Sequence, residues 1–257
     1  MKTLTRHLTQ KIENGETLVV PYIVAGDHKN GLDGLAETIE FLQNAGAGAI
    51  EIGVAFSDPV ADGPIIQDAG IRALAKQVGV FQILKKLQTI ETKIPLVIMS
   101  YFNPIYNYGV EKFVEDLQKT PVKGLIIPDL PFEHRDYVEP ILENTDISLV
   151  RLVSLTTPKE RQKTLAHDAQ GFIYAVAVNG TTGVGRNYNE NIYGHLAYLK
   201  SESKIPVLAG FGVSNIEQVK NFRKVCDGVI VGSFIVNALH NGEKEKVAEF
   251  VKSAAKV

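Results

Sequence analysis

The chain of 257 residues has little cysteine, no strong excess of charge and no long apolar run. Cys226 is the sole cysteine, which excludes an intramolecular disulfide and suits a reducing compartment. No apolar stretch approaches the ~20 residues of a membrane span. The segment 1–16 mixes charges with apolar residues and has no signal-peptide core. These absences predict a cytoplasmic protein that does not enter a membrane.

Other absences exclude classes of chemistry. The net charge of −2, without a basic cluster, argues against a nucleic-acid partner. None of the six histidines pairs with another His, Cys or carboxylate at metal-ligand spacing, so we predict no metal site. No lysine ends a predicted strand, so a Schiff-base lyase lacks its nucleophile. No Walker lysine follows the glycines at 180–185, so a P-loop is not expected either.

What the chain does have is a regular alternation of apolar, β-rich runs with helical patterns. Such runs are typical of strands that are covered on both faces. The predicted strands are 17–25, 48–53, 94–99, 122–127, 147–153, 171–178, 205–209 and 226–231. This rhythm favours a single α/β domain over 1–257, a (β/α)8 TIM barrel, over an open doubly wound sheet. We also expect an extra N-terminal helix at 2–13 and extra short helices at the mouth of the barrel.

Three local predictions concern the helices. The segment 103–119 opens with a loop rich in proline and tyrosine, in which Pro104, Ile105 and Tyr106 look exposed, and then becomes a helix. A continuous helix is predicted over 133–143. A third helix is predicted over 214–222, with Ser214 as its N-cap.

The run GAIEIG at 48–53 places one acidic residue, Glu51, in an otherwise apolar strand. Alternation along the strand puts Ile50 and Ile52 on one face and Glu51 on the other. If the isoleucines contact the covering helices, Glu51 points into the space that the sheet encloses. An ionised carboxylate in a low-dielectric site costs several kcal/mol unless it is compensated, so packing does not explain it there. The pattern indicates a functional acid; the alternative is an edge-strand glutamate in water.

A second carboxylate, Asp62, follows in a loop eleven residues after Glu51. The turn-forming segments 57–59 and 62–64 can fold this loop back over the end of the strand. Asp62 would then face Glu51 across a cavity. The alternative is an ordinary polar loop on the surface.

Glycines stand at the ends of three late strands, in 179–185, 210–212 and 232–233. Without a Cβ they let backbone N–H groups approach a ligand closely. Barrels often bind phosphate after strands seven and eight, at the N-terminus of a short extra helix, and 234–239 can form that helix. Each glycine cluster alone could be a plain turn, but three at neighbouring strand ends predict a phosphate site.

Along nearly its whole length the sequence resembles the tryptophan synthase α subunits. The resemblance rests on seven segments, of which the second is highly specific: PYIVAGD (21–27), EIGVAFSDPVADGPIIQ (51–67), YFNPIYNYG (101–109), PDLPFEH (128–134), GTTGVG (180–185), AGFGVS (209–214) and GVIVGSFIV (228–236). It implies retro-aldol cleavage of indole-3-glycerol phosphate to indole and glyceraldehyde 3-phosphate, without a cofactor.

The resemblance also implies roles for individual residues. Glu51 and Asp62 fall on the family's catalytic glutamate and aspartate. The phosphate-binding positions correspond to Gly183, Gly212 and Ser233, with Gly232 beside them. The residues that line the indole or close the lid correspond to Tyr22, Tyr174, Thr182 and Phe211.

The two carboxylates suit that chemistry. A carboxyl group whose pKa is raised by burial, as expected for Glu51, can protonate indole C3 and remove the proton of the C3′ hydroxyl. An ionised Asp62 can stabilise the positive charge that develops on the indole nitrogen.

The resemblance further implies a partner, the pyridoxal-phosphate-dependent β subunit, in an α2β2 assembly. The cofactor is expected only on that partner, and 103–109 is a candidate contact. Two alternatives stay open. One is a stand-alone phosphate-binding barrel enzyme, either a free lyase or an isomerase. The other is a non-catalytic activator of the β subunit.

Overall fold

Parallel strands wind into a barrel in the computed structural model, which describes residues 1–154, 156–176, 190–210 and 212–257. Nine strands lie in these ranges: β1 Leu18–Val24, β2 Ile50–Gly53, β3 Leu96–Met99, β4 Val122–Ile126, β5 Ser148–Leu149, β6 Arg151–Ser154, β7 Ile173–Val176, β8 Val207–Gly210 and β9 Gly228–Val231. Neighbours in the sheet run in the order β5-β4-β3-β2-β1-β9-β8-β7-β6, and every pairing is parallel.

The two strands at the ends of this order are consecutive in the chain, which closes the barrel. β5 pairs with β4, with Leu149 opposite Leu125, and β6 pairs with β7, with Arg151 opposite Ile173. Between them, the Val150 N–H still donates to the carbonyl of Leu125 at 2.9 Å. The predicted fifth strand is therefore one extended segment that changes partner halfway. The predicted eight-stranded TIM barrel is confirmed.

Helices cover the outside of the barrel. They are α1 Thr3–Glu13, α2 Leu35–Asn44, α3 Pro64–Ala75, α4 Val80–Leu87, α5 Phe102–Tyr108, α6 Val110–Gln118, α7 Glu139–Leu142, α8 Lys159–His167, α9 Glu190–Glu202, α10 Ile216–Arg223, α11 Ser233–His240 and α12 Lys244–Ala254, with 3-10 helices at Gly31–Gly34 and Phe132–Tyr137. The apolar faces of most of these helices pack on the outward side chains of the strands, Ile50 and Ile52 among them. Within the described ranges no helix has the length and apolar character to cross a bilayer.

The prediction that 103–109 is a loop is wrong, because α5 occupies this segment. The Asp129 carboxylate accepts a hydrogen bond from the Phe102 N–H at 2.8 Å and satisfies a free donor of the first turn. Pro104 lies in that turn, where its missing N–H costs nothing. The predicted exposure of Ile105 is wrong, since this residue is fully buried, whereas Tyr106 is 63% exposed, as predicted.

Two further helix predictions need correction. The predicted helix over 133–143 is a 3-10 helix followed by the short α7, because Pro140 has no N–H to continue the helical ladder from the preceding turn. Asn215, and not Ser214, caps α10. Its side-chain oxygen accepts from the Gln218 N–H at 3.0 Å, and the Gln218 side chain accepts in return from the Asn215 N–H.

The N-terminal end of the barrel interior is closed by the predicted extra helix, α1. Its side chains Leu4 and Leu8 are fully buried in one cluster with Val20 of β1 and with Phe172, which precedes β7. Gly124 and Gly171 make room for it, since a Cβ at either position would lie within 2.8 Å of Leu4 Cδ2. Among the described residues, the end of the barrel that α1 leaves uncovered is the opposite one, at the carboxyl ends of the strands.

Candidate active site

A cavity of about 580 Å³ opens at the carboxyl ends of the strands. In a (β/α)8 barrel this is the end at which active sites form. The predicted site residues that line it are Tyr22, Glu51, Asp62, Tyr174, Gly212, Gly232 and Ser233. The structure thus brings together residues from both halves of the chain.

Strand register explains why Glu51 faces this cavity. Glu51 pairs with Tyr22 of β1 and Val97 of β3, while Ile50 and Ile52 point outward into the helix layer. The Glu51 side chain has no solvent-exposed surface, and neither of its carboxyl oxygens has a hydrogen-bond partner among the described residues. Such a group is far more stable neutral than charged. Burial first, and the negative charge of Asp62 second, raise the pKa of Glu51 to about 8.

Asp62 lies just before α3, in the loop that returns over the end of β2. The Gln67 side-chain amide donates to the Asp62 backbone carbonyl at 2.8 Å and anchors this end of the loop. The pKa of the Asp62 carboxyl is raised by burial, but a hydrogen bond from the Tyr101 hydroxyl opposes the rise. Because Asp62 has a hydrogen-bond donor and Glu51 has none among the described residues, this environment favours the proton on Glu51 and the charge on Asp62.

Tyr101, which is not among the predicted site residues, contacts the loop that carries Asp62. It is 2% exposed, its ring lies 5.5 Å from that of Phe56, and its hydroxyl accepts a hydrogen bond from the Ala61 N–H at 2.9 Å. The hydroxyl also lowers the pKa of the neighbouring Asp62 carboxyl. The position of Tyr101 directly after β3 was the available signal, but an aromatic residue there is equally typical of core packing.

Two tyrosines flank the carboxylates, and each ring rests on a glycine. A Cβ on Gly53 would lie 2.0 Å from the Tyr22 hydroxyl, and a Cβ on Gly210 would lie 2.1 Å from the Tyr174 ring. The glycines therefore make room for the rings inside the barrel. Burial, followed by the nearby carboxylates, raises the pKa of both tyrosines well above the ordinary value. Both hydroxyls stay protonated and act as hydrogen-bond donors.

Another part of the cavity lining has the character of an anion site. Gly232 and Ser233 line it at the N-terminus of α11, where backbone N–H groups have no partner within the helix. The Ser233 hydroxyl is buried and has no hydrogen-bond partner within the described part of the chain. Gly212 adopts φ +67°, a conformation that favours glycine, and lines the same side.

Three predicted site residues, Thr182, Gly183 and Phe211, lie outside the described residues. Across the described ranges, no group of three or more His, Cys, Asp or Glu side chains is arranged to hold a metal ion.

Comparisons with known proteins point to one family. The family model for the tryptophan synthase alpha chain matches residues 8–257. The tryptophan synthase alpha chain of Lactococcus lactis is 58% identical over 254 residues, covering 99% of both chains. That of Listeria welshimeri is 59% identical over 255 residues, covering 99% of this chain and 98% of the relative.

Solved structures extend the likeness to the fold. The Legionella pneumophila tryptophan synthase subunit alpha superposes with a TM-score of 0.87 at 28% identity, covering 100% of this chain and 98% of the other. A Mycobacterium tuberculosis tryptophan synthase structure gives a TM-score of 0.90 at 28% identity, covering 100% of this chain and 99% of the matched chain. The chain therefore belongs to the tryptophan synthase alpha chain family.

Proposed function

We propose that Glu51 and Asp62 carry out the reaction of this family. As a member, the chain is a lyase of tryptophan biosynthesis that cleaves indole-3-glycerol phosphate to indole and glyceraldehyde 3-phosphate. One observation carries the assignment to these two residues. The Glu51 carboxyl is fully buried, has no hydrogen-bond partner in the described ranges of the chain, and lines the same cavity as a second carboxylate.

Glu51 moves both protons. Neutral at the start because its pKa is about 8, it protonates C3 of the indole ring and turns the ring into an electron acceptor. The bond from C3 to C3′ then breaks, and its electron pair returns to the ring. The Glu51 carboxylate takes the proton of the C3′ hydroxyl as the aldehyde forms, which restores the neutral acid.

Asp62 stabilises the charge that this step creates. Protonation at C3 places positive charge on the indole nitrogen, and an ionised Asp62 that accepts its N–H lowers the energy of that state. The Tyr101 hydroxyl favours the charged form of Asp62 and holds its orientation. The reaction needs no metal and no cofactor in this scheme, and pyridoxal phosphate is assigned to the β partner alone.

The substrate lies across the cavity with its two ends in different surroundings. The indole packs beside Tyr22 and Tyr174, with Phe211 and Thr182 assigned to the same end by the family resemblance. The phosphate is held by Gly212, Gly232 and Ser233, with Gly183. A cavity of about 580 Å³ is within the range of roughly 300–1,000 Å³ typical of small-molecule sites.

The proposed partner is the tryptophan synthase β subunit, in an α2β2 assembly in the cytoplasm. Exposed aromatic side chains near the mouth support a contact there. The ring centroids of Tyr106 and Tyr137 each lie 5.8 Å from that of Phe102, and these two tyrosines are 63% and 53% exposed. Tyr106 belongs to the segment 103–109, the candidate contact from the sequence.

Product analysis tests the proposal. Purified chain is incubated with indole-3-glycerol phosphate, with and without the β subunit, and indole and glyceraldehyde 3-phosphate are quantified. We expect equal amounts of both products, formed faster with the partner present. An isomerised sugar phosphate as the product would favour the isomerase. No indole under either condition would favour a non-catalytic activator.

A further inference from the structure

A second cavity, of about 310 Å³, lies on the outer side of β1. Its walls come from the loop after β1, from α2, and from the C-terminal halves of α3 and α11. We call it the α2–α11 pocket. Among the described residues, the two cavities have no lining residue in common, so a ligand in this pocket would not contact Glu51, Asp62 or the other described residues of the active-site cavity.

The inner wall of this pocket is apolar. Side chains of the strand and of two helices form it: Ile23, Leu35, Phe41, Val236 and Leu239. Soluble proteins rarely leave large apolar surfaces uncovered. A concave apolar surface that remains accessible is therefore a typical binding site for a ligand with an apolar part. The volume is about half that of the active-site cavity, which limits the apolar body of a ligand to roughly one aromatic ring.

The rim of the pocket is cationic. Four basic side chains line it, Lys29, Arg72, Lys76 and Lys244, against one carboxylate, Asp27. Arg72 holds Asp27 through two hydrogen bonds of 2.5 and 3.0 Å, so this acid is already paired. The positive excess on the rim contrasts with the net charge of −2 of the whole chain.

The other rim cations differ in how far they are neutralised. Lys76 Nζ donates to the carbonyls of Gly26 at 3.0 Å and His28 at 2.7 Å, which fixes its position without cancelling its charge. Lys244 forms an ion pair with Glu37 at 2.5 Å. Lys29 is exposed and has no ion pair in the part of the chain that the structure describes. Lys29 and Lys76 thus leave the rim with uncompensated positive charge.

Two histidines complete the lining, His28 and His240. His28 Nδ1 accepts a hydrogen bond from the Asn30 N–H at 3.1 Å, so the neutral ring carries its proton on Nε2 and can donate it. The ring packs directly over Gly34, where a Cβ would lie 1.8 Å from Nδ1. The position of His28 is therefore fixed by packing as well as by the hydrogen bond.

We propose that the α2–α11 pocket is a binding site for a small organic anion, a carboxylate joined to an apolar body of about one ring. The body packs on the wall formed by Phe41, Val236 and Leu239. The carboxylate lies at the rim, near Lys29 and Lys76. This site is separate from the one that binds indole-3-glycerol phosphate, and it does not depend on the proposed function.

The histidines provide a local readout. The probe is 3-phenylpropionate, titrated into the full chain while NMR records the Cε1–H resonances of the six histidines. Resonances are assigned with His28→Gln and His240→Gln. We expect the resonances of His28 and His240 to shift saturably with one common Kd. Those of His7, in α1, and His167, at the end of α8, should stay in place.

Variants and an uncharged analogue test the two parts of the proposal. Leu239→Trp fills the pocket and should weaken binding at least about tenfold, and Lys29→Glu on the exposed rim should weaken it about threefold or more. Lys220→Glu on α10, outside the pocket lining, is the matched control and should bind as wild type. The amide 3-phenylpropionamide should bind at least about tenfold more weakly than the acid.

Three results would overturn the site. The first is the absence of any shift at His28 and His240, which includes binding of the probe in the active-site cavity alone. The second is equal affinity for the acid and the amide. The third is wild-type affinity in both Leu239→Trp and Lys29→Glu. If Leu239→Trp fails to fold, Lys29→Glu and the amide decide the outcome, since neither alters the core.

Discussion

The two ends of the barrel interior are built from the same strands but have opposite chemistry. At the N-terminal end, Leu4 and Leu8 of α1 belong to a buried apolar cluster with Leu18 and Phe172. At the C-terminal end, the same strands present Glu51, whose carboxyl is buried without a hydrogen-bond partner in the described protein. Burial at the N-terminal end stabilises the fold, whereas burial at the C-terminal end raises the pKa of Glu51.

A step of two residues along the chain separates the two environments. In β1, Val20 belongs to the apolar cluster and Tyr22 lines the cavity. Ala49, just before β2, belongs to the apolar cluster, and Glu51 in β2 lines the cavity. Because side chains alternate along a strand, residues two apart point to the same face. The two residues of each pair therefore both point into the barrel, in successive layers of its interior. Mutations at the C-terminal end of the barrel should therefore affect activity, and mutations at the N-terminal end should affect stability.

The largest expected effect is that of Glu51→Gln. The amide is close in shape to the neutral acid but cannot transfer a proton, so kcat should fall by about three orders of magnitude or more. The free energy of unfolding at neutral pH should stay the same or increase, because the pKa-shifted acid is removed. Indole release and urea unfolding measure the two quantities. Retention of more than about a tenth of kcat, with substrate bound normally, would rule out Glu51 as the proton carrier.

Asp62→Asn should reduce kcat by roughly 10²–10³-fold, the size expected when a group that stabilises transition-state charge is removed. The KM should change less than kcat, because the indole nitrogen is charged only on the way to products. Steady-state kinetics over a range of substrate concentrations separates the two parameters. A change confined to KM would mean that Asp62 binds the ground state and does not stabilise developing charge.

Leu8→Ala makes the complementary test at the closed end. Removing this fully buried side chain should cost about 3 kcal/mol of unfolding free energy, within the range of cavity-forming substitutions. Activity per folded molecule should stay near wild type. Leu74→Ala on α3, where the leucine is 38% exposed, is the control and should cost well under about 1 kcal/mol. A large loss of kcat in folded Leu8→Ala would show that the two ends are not separable.

The smallest expected effect is that of Tyr101→Phe. Loss of the hydroxyl removes a hydrogen bond that favours ionised Asp62, so the pKa of Asp62 should rise further and kcat should fall about tenfold at neutral pH. The acidic limb of the pH–rate profile should move to higher pH. Tyr108→Phe is the matched control, since its hydroxyl donates to Asp116 at 2.7 Å outside the lining of the cavity. An unchanged acidic limb in Tyr101→Phe would remove Tyr101 from the site.

The sequence predicts the barrel well because its signals are local. Strand alternation is enough to place Ile50 and Ile52 outside and Glu51 inside, and the turn formers before α3 are enough to return Asp62 to the mouth. The misses come from contacts between distant segments. The start of α5 depends on a hydrogen bond to Asp129. The change of strand partner at Val150 depends on the pairing of β5 with β4 and of β6 with β7. The role of Tyr101 depends on the position of its hydroxyl group in the folded chain, and a pattern of residue types does not specify that position.

The central claim is that Glu51 is a neutral acid at neutral pH. Its pKa in the folded chain is raised from the ordinary 4.5 to about 8, so between these values the folded state holds a proton that the unfolded state has lost. Stability should therefore fall as pH rises through this window, by up to about 5 kcal/mol, and level off above it. The Glu51→Gln variant should not show this decrease in stability with rising pH.

The most direct measurement is the pH titration of the Glu51 side-chain carboxyl ¹³C resonance in the folded chain, assigned by its absence in Glu51→Gln. We expect a midpoint near pH 8, well above the ordinary value of 4.5. A midpoint close to 4.5 would mean that Glu51 is ionised at neutral pH and cannot be the acid that starts the cleavage.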